Sequence, residues 1–291
     1  MFTKQQVQII SEHISEKIIS INPVSGGDIA NSYLVTTDSN PVFLKTHHNF
    51  KLLEAEKIGL ETILKSNTIK TPEILGFSNL ESITFLALEW IDSKTPNSKD
   101  FSKLGKQLAK LHQQTNNSFG FESNNFIGSL HQSNVLKANW NEFYIEERLI
   151  PQMQLANQKG LLNQSEIPDE DNMKSICNTY FKNVKPSLLH GDLWSGNYLI
   201  SDSGIPYLID PSVYYGHSEI DIAMSKLFGG FGPEFYSEYH KIIPRDKYTE
   251  ERIEIYQLYY LLVHLNLFGI SYYPSVKNIL KKYFNCELNR E

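Results

Sequence analysis

Between Leu188 and Ile200 the chain reads LLHGDLWSGNYLI. Two short apolar runs enclose a loop punctuated by Gly191 and Gly196, and Asp192 and Asn197 stand five residues apart within it. Short apolar runs bounded by glycine read as buried strands. The spacing therefore predicts Asp192 at the exit of one strand and Asn197 at the start of the next. Farther along, NYLISDSGIPYLID predicts a hairpin whose Ser-Asp-Ser-Gly turn returns the chain, so that Asp210 lies close to Asn197. Any fold of this chain has to gather these three side chains at one edge of a small strand cluster.

The N-terminal third predicts a separate frame. Val7, Ile10, Ile14 and Ile18 recur at helical spacing and predict an amphipathic first helix. ISINPVSGGDIANSYLVTTDSNPVFLKT breaks into three β-rich runs, a helix follows from about Phe50 to Lys65, and TPEILGF and SITFLALEWI add two strands. The result is a five-stranded antiparallel sheet with one internal helix, complete by about Ile91. The polar stretch DSKTPNSKD, Asp92 to Asp100, reads as a linker. We accordingly divide the chain into lobes 1–91 and 92–291. Past the linker the pattern turns helical, with Leu104, Leu108 and Leu111 in one stripe, and SLLHGD, NYLIS and PYLID interrupt it as short strands. The fold class is α+β, bilobal, with a mainly helical second lobe.

Charge narrows the partners. A formal net charge of −6 gives a field that favours neither nucleic acid nor anionic membrane surfaces. The run KNILKK, Lys277 to Lys282, alternates with apolar residues as a helix's solvated face does. Two cysteines, Cys177 and Cys286, are too few for a disulfide framework and read as buried fillers in a reducing, cytoplasmic protein. The N-terminus lacks an uninterrupted apolar signal core. LYYLLVHLNLFGI carries His264 and Asn266 and is too short for a membrane span, so it reads as a core helix.

Helical spacing puts Glu56 in line with Leu52, Leu60 and Ile63 in the helix NFKLLEAEKIGLETILK. An inward carboxylate calls for a cation, and Lys45 closes the preceding strand PVFLK; the bland alternative is a rim carboxylate and a solvated lysine. Gly26 and Gly27 sit between two strands, where backbone N–H groups can approach a polyphosphate or simply turn a hairpin. H-x-D followed by four residues and Asn matches the phosphotransferase loop, in which Asp accepts a hydroxyl proton and Asn holds Mg2+. Asn197 and Asp210 would then offer Mg2+ two hard oxygen donors; alternatively Asp192, Asn197 and Asp210 are ordinary turn residues.

Taken with SGGDIANSYLV, VFLK, EAEKIGLE, FLALEWI, YLIDPSVYYGHSEIDIAM and FGGF, the loop HGDLWSGN resembles the fructosamine kinase family, protein-kinase-like small-molecule kinases related to aminoglycoside phosphotransferases. The resemblance implies a protein-kinase-like fold, ATP and Mg2+ as cofactors, and a ketosamine or glycated protein lysine as substrate. In that reading Lys45 binds phosphates and pairs with Glu56, Asp192 is the catalytic base, and Asn197 and Asp210 hold the metal. The backbone of Leu88 to Ile91, including Glu89, meets adenine, and Gly26 and Gly27 belong to the nucleotide loop. Asp221 braces the catalytic loop or caps its helix, and Trp194, His217 and Glu219 line the sugar pocket unless Trp194 and His217 merely pack. Protein kinases carry Arg where this loop has Gly191, and no A-P-E follows Asp210, which implies a constitutive small-molecule kinase. Rival readings are a kinase of another small alcohol, of aminoglycoside, choline or homoserine type, and a nucleotide-binding pseudokinase scaffold.

Overall fold

A computed structural model describes residues 2–24, 29–80 and 83–284. Helix α1 (Lys4–Ile14) starts on a reciprocal cap, with Thr3 Oγ1 accepting from the Gln6 N–H and Gln6 Oε1 accepting from the Thr3 N–H. It ends at Ser15, whose φ of 55° is left-handed, so Ile18 opens the first strand instead of extending the helical stripe. Strands β1 (Ile18–Pro23), β2 (Asn31–Thr37) and β3 (Val42–His47) are followed by α2 (Phe50–Lys65), then β4 (Ile74–Leu80) and β5 (Ile83–Glu89). They form an antiparallel five-stranded sheet in the order β1-β2-β3-β5-β4.

Strand alternation assigns the two faces. Val42 and Leu44 of β3 join Ile10 and Ile14 of α1 in one apolar cluster, while Phe43 packs with Leu53 and Leu60 of α2 on the other side. Lys45, two residues after Phe43, is thereby delivered to the α2 side, where it reaches Glu56.

The polar stretch after β5 is only partly a connection. Helix α3 (Ser98–His112) begins within it, capped by Asn97, and Asp92 to Lys94 lie against the hairpin of the second lobe through the Lys94 N–H to the Ile200 carbonyl at 2.9 Å. Then come a short hairpin, β6 (Asn125–Ile127) and β7 (Leu130–Gln132), helix α4 (Trp140–Tyr144), a π-turn over Ile145–Leu149, and helices α5 (Ile150–Gln158) and α6 (Glu170–Tyr180). Strands β8 (Ser187–Leu189), β9 (Tyr198–Ile200), β10 (Pro206–Leu208) and β11 (Tyr214–Gly216) precede α7 (Glu219–Leu227), α8 (Pro233–His240), α9 (Thr249–Phe268) and α10 (Tyr273–Phe284). One large apolar core runs from Leu104 and Leu108 of α3 through Phe143 and Tyr144 to Tyr256, Leu258 and Leu262 of α9. Helix α9 is buried around most of its girth, as its apolar sequence requires. Among the described residues no helix is long and apolar enough to cross a membrane.

Candidate active site

Strand β8 ends at Leu189 and β9 begins at Tyr198, so the loop between them carries Asp192 and Asn197, as their flanking apolar runs require. Asn197 Nδ2 donates to the Asp192 carbonyl at 2.8 Å and to Asp192 Oδ2 at 3.1 Å, which leaves the amide oxygen pointing away from Asp192. The hairpin β9-β10 pairs Leu208 with Tyr198, and the Ile209 N–H then bonds to the Asn197 carbonyl at 3.1 Å. Asp210 consequently emerges next to Asn197. Its φ of 53° is left-handed, a conformation Asp tolerates better than most residues.

The sheet supplies the opposite wall. Lys45 Nζ pairs with Glu56 Oε1 at 2.8 Å and directly with Asp210 Oδ1. Lys45 and Glu56 are 6% and 9% exposed, so neither is a rim group. Gly59, one turn beyond Glu56, allows Pro211 to lie against α2; a Cβ there would come within 2.8 Å of the proline ring. This close approach carries Asp210 to Lys45.

The charges follow from burial and proximity. Desolvation would lower the Lys45 ammonium, but Asp210 and Glu56 outweigh it and hold it above its ordinary range. Burial raises Glu56 well above the usual carboxylate range despite Lys45 alongside. Desolvation opposes ionisation of Asp210 as well, yet the Lys45 charge holds it below the ordinary range. Asp192 is pushed up to about 7, mainly by burial and next by the charge of Asp210, with the Asn197 amide pulling the other way. A carboxylate with that poise is suited to accept a proton near neutrality.

Beneath the loop, Asp221 in the first turn of α7 is fully buried and accepts from the His190 N–H at 2.7 Å and the Gly191 N–H at 2.9 Å. It does not cap its own helix; Ser218 occupies that position. His112 at the end of α3 donates from Nε2 to Asp221 at 3.0 Å and accepts at Nδ1 from the Tyr239 hydroxyl at 2.7 Å, a tautomer assigned from these partners. Sequence reasoning passed over His112, although its place four residues after Leu108 put it in the apolar stripe. Tyr260 of α9 donates to the Gly191 carbonyl at 2.8 Å and had no signal in a helix whose buried residues run around most of its girth.

Other expected site residues fall as follows. Trp194 is 38% exposed on the loop between Asp192 and Asn197, folded over Gly196. Glu89 ends β5 and accepts from the Glu73 N–H at 3.2 Å, and Ile91 lies just beyond, where the chain leaves the sheet. Gly26, Gly27 and Cys286 lie outside the described residues. The bonds of His217 and Glu219 go to α9 and not to Asp192 or Asn197: β11 runs antiparallel to β8, pairing Gly216 with Ser187, so the chain runs back along β8 from Leu189 before α7 begins. Glu219 is 6% exposed and is bound by Arg252 through Nε at 2.6 Å and Nη2 at 2.7 Å; His217 Nδ1 contacts the Tyr256 hydroxyl at 2.7 Å. Sugar-pocket roles for these two thus have no geometry to carry them.

The donor set suits Mg2+. Among the described residues no group of three or more His, Cys, Asp or Glu could hold a metal unaided. An Asn amide oxygen turned away from Asp192 and a carboxylate one-third exposed are, however, what an ion uses when it also takes substrate phosphates and water.

Comparison with known proteins shows the family. The model of the fructosamine kinase family matches residues 1–286. An Enterococcus faecium protein named "Probable ketoamine kinase" is 40% identical over 90% of this chain and 94% of its own length. The chloroplastic protein-ribulosamine 3-kinase of Arabidopsis thaliana is 36% identical, over 94% of this chain and 86% of its own. A candidate fructosamine-3-kinase from Thermobifida fusca superposes with a TM-score of 0.88 at 27% identity, covering 98% of this chain and all of that one. A spectinomycin phosphotransferase solved with ADP and spectinomycin, 17% identical with a TM-score of 0.55, shares the fold alone. With its bilobal α+β fold, its lysine, glutamate, aspartates and asparagine gathered at one site, and a family model matching residues 1–286, the chain belongs to the fructosamine kinase family.

Proposed function

We propose that the protein transfers the γ-phosphoryl group of ATP to a sugar hydroxyl of a ketosamine, the 3-hydroxyl of a ribulosamine or fructosamine borne by a small amine or a protein lysine. The observation that carries this reading is the meeting of Lys45, Glu56 and Asp210 beside the Asp192–Asn197 pair. Residues 1–91 act as the nucleotide-binding lobe, with the Glu89 to Ile91 backbone meeting adenine and Gly26 and Gly27 near the phosphates, and residues 92–291 act as the catalytic and acceptor lobe. Asp192 orients the acceptor hydroxyl and takes its proton as the phosphoryl group departs. Lys45, released from part of its pairing with Asp210, balances charge on the phosphates, and Glu56 keeps it aimed. Mg2+ held by Asn197 and Asp210 would neutralise charge on the transferred group. The rest is positioning in a partly desolvated cleft.

The exposed indole of Trp194, one residue beyond Leu193 from the base, offers a face to the sugar ring. A ketosamine 3-phosphate formed here would decompose and free the amine, which makes the reaction a deglycation step. A reducing, cytoplasmic setting belongs to the same reading: Cys177 is buried, and burial pushes its thiol up to about 12, which leaves it inert. Steady-state turnover of ATP with ribulosamine, fructosamine and choline as acceptors tests the proposal. Turnover confined to the ketosamines supports it, and activity on choline alone overturns it.

A further inference from the structure

The peptide units leading into Asp192 are held at both ends. Gly191 donates its N–H to Asp221 Oδ1 at 2.9 Å, and the carbonyl of the same peptide unit, that of His190, accepts from the Ser212 N–H at 2.8 Å. In the next unit the Asp192 N–H reaches His190 Nδ1 at 3.3 Å, and the Gly191 carbonyl accepts the Tyr260 hydroxyl at 2.8 Å. These restraints matter because of what lies between them. Gly191 has φ of +85°, and a Cβ there would sit 2.0 Å from the Ser212 carbonyl oxygen, so no other residue fits. Yet glycine is the residue least able to hold its own dihedrals. The direction in which the Asp192 side chain leaves the backbone is therefore set by partners of the flanking peptides and not by local preference.

Tyr260 is the partner from farthest away, 69 residues along the chain and rooted in the long, largely buried helix α9. Its neighbour Tyr259 serves the other loop: its hydroxyl donates to Gln132 Oε1 at 2.5 Å, and Gln132 Nε2 donates to Ser212 Oγ at 2.8 Å. Consecutive tyrosines of α9 thus grip the loop that carries Asp192 and the segment that follows Asp210.

We infer that Tyr260 is a positioning residue for the proton-accepting Asp192, acting through the Gly191–Asp192 peptide. The inference rests on the reading of Asp192 as the base. Without the hydroxyl, the peptide can rotate about Gly191 and the carboxylate leaves its line with the acceptor hydroxyl, while Lys45, Glu56 and Asp210 keep their own contacts.

Tyr144 supplies a matched control, since its hydroxyl also donates to a backbone carbonyl, that of Ile255, at 2.8 Å in the core. Tyr260→Phe and Tyr144→Phe each remove one oxygen from a fully buried tyrosine, and both should lower Tm to a similar degree. Turnover with ATP and a ribulosamine-bearing lysine derivative is counted per site that binds AMP-PNP, so unfolded protein does not enter. Tyr260→Phe should lower kcat about 10- to 100-fold, with KM for ATP within about twofold of wild type, and Tyr144→Phe should leave both within about twofold. A kcat for Tyr260→Phe within about twofold of wild type overturns the inference, as do equal losses in the two variants. Absence of wild-type turnover overturns the functional reading and this inference together.

Discussion

The ammonium of Lys45 and the carboxylate of Asp210, 165 residues apart in the chain, meet in a direct ion pair that joins the sheet of the first lobe to the hairpin of the second. Glu56 holds the same ammonium from the other side at 2.8 Å. One cation thus serves two carboxylates that would otherwise face each other in a partly desolvated site, and this arrangement has consequences for stability.

Replacing Lys45 by Met leaves Glu56 and Asp210 opposed and without a counter-charge. Breaking a buried pair in this way costs about 3 kcal/mol. The loss depends on pH. A carboxyl whose folded pKa lies above its unfolded value stabilises the fold below that folded pKa, and the contribution disappears as pH rises through it. In wild type the Lys45 charge holds Asp210 below its ordinary range; without it burial raises Asp210 as it already raises Glu56, so the variant loses stability over a pH range where wild type keeps that of Asp210. Urea denaturation should therefore show a smaller deficit for Lys45→Met at pH 5.5 than at pH 8, and a deficit that does not change with pH would contradict the account.

Asp192 carries the same sign. Its pKa is pushed up to about 7, so between the unfolded value and 7 the folded state holds the extra proton, and stability falls as pH rises through that window. Asp192→Asn removes the penalty of ionising a buried carboxyl. It should be more stable than wild type by ~1–2 kcal/mol at pH 8, less so at pH 5, while losing turnover. Wild-type kcat/KM should show an acid limb above the ordinary carboxylate range. A variant both inactive and destabilised at pH 8 would mean that Asp192 is a structural anion.

Gly191→Ala tests the loop's backbone. The new methyl would meet the Ser212 carbonyl, and φ of +85° is unfavourable for alanine. A loss of about 2 kcal/mol or more is expected, with kcat falling alongside. The arginine that protein kinases carry at this place has no room here for the same reason. A stable, active Gly191→Ala would show that the loop relaxes freely.

Glu219→Gln separates a structural carboxylate from a sugar ligand. Arg252 holds both oxygens of Glu219, and Arg252 itself is 6% exposed. The variant should lose about 3 kcal/mol by chemical denaturation, with KM for the acceptor unchanged. A raised acceptor KM at wild-type stability would return Glu219 to the substrate pocket.

Much of the frame was legible because its elements are long enough to show a period. Helix α2 matches the predicted span from Phe50 to Lys65, and the inward turn of Glu56 followed from helical spacing, although the buried residue of the preceding turn is Leu53 and not Leu52. Asp192, Asn197 and Asp210 could be placed because strands and a tight hairpin bring them together by local geometry alone. Strands β6, β7 and β11 are three residues each and too short for alternation to be read. Ile18 kept the helical spacing of the N-terminus but followed a left-handed residue that spacing does not reveal. His217 and Glu219 follow the motif in sequence, and the structure engages them with Tyr256 and Arg252 of α9 instead. His112 and Tyr260 matter through contacts across more than 60 residues, which no local pattern encodes.

The most direct test of the shared phosphoryl-transfer site is 31P NMR of ATP incubated with a ribulosamine-lysine adduct, using wild type and Asp192→Asn after both are shown to bind AMP-PNP. The account predicts a phosphomonoester on the ribulosamine 3-hydroxyl with wild type, forming at least about a thousandfold more slowly with Asp192→Asn. No phosphomonoester with wild type, or equal rates from the two proteins, would contradict it.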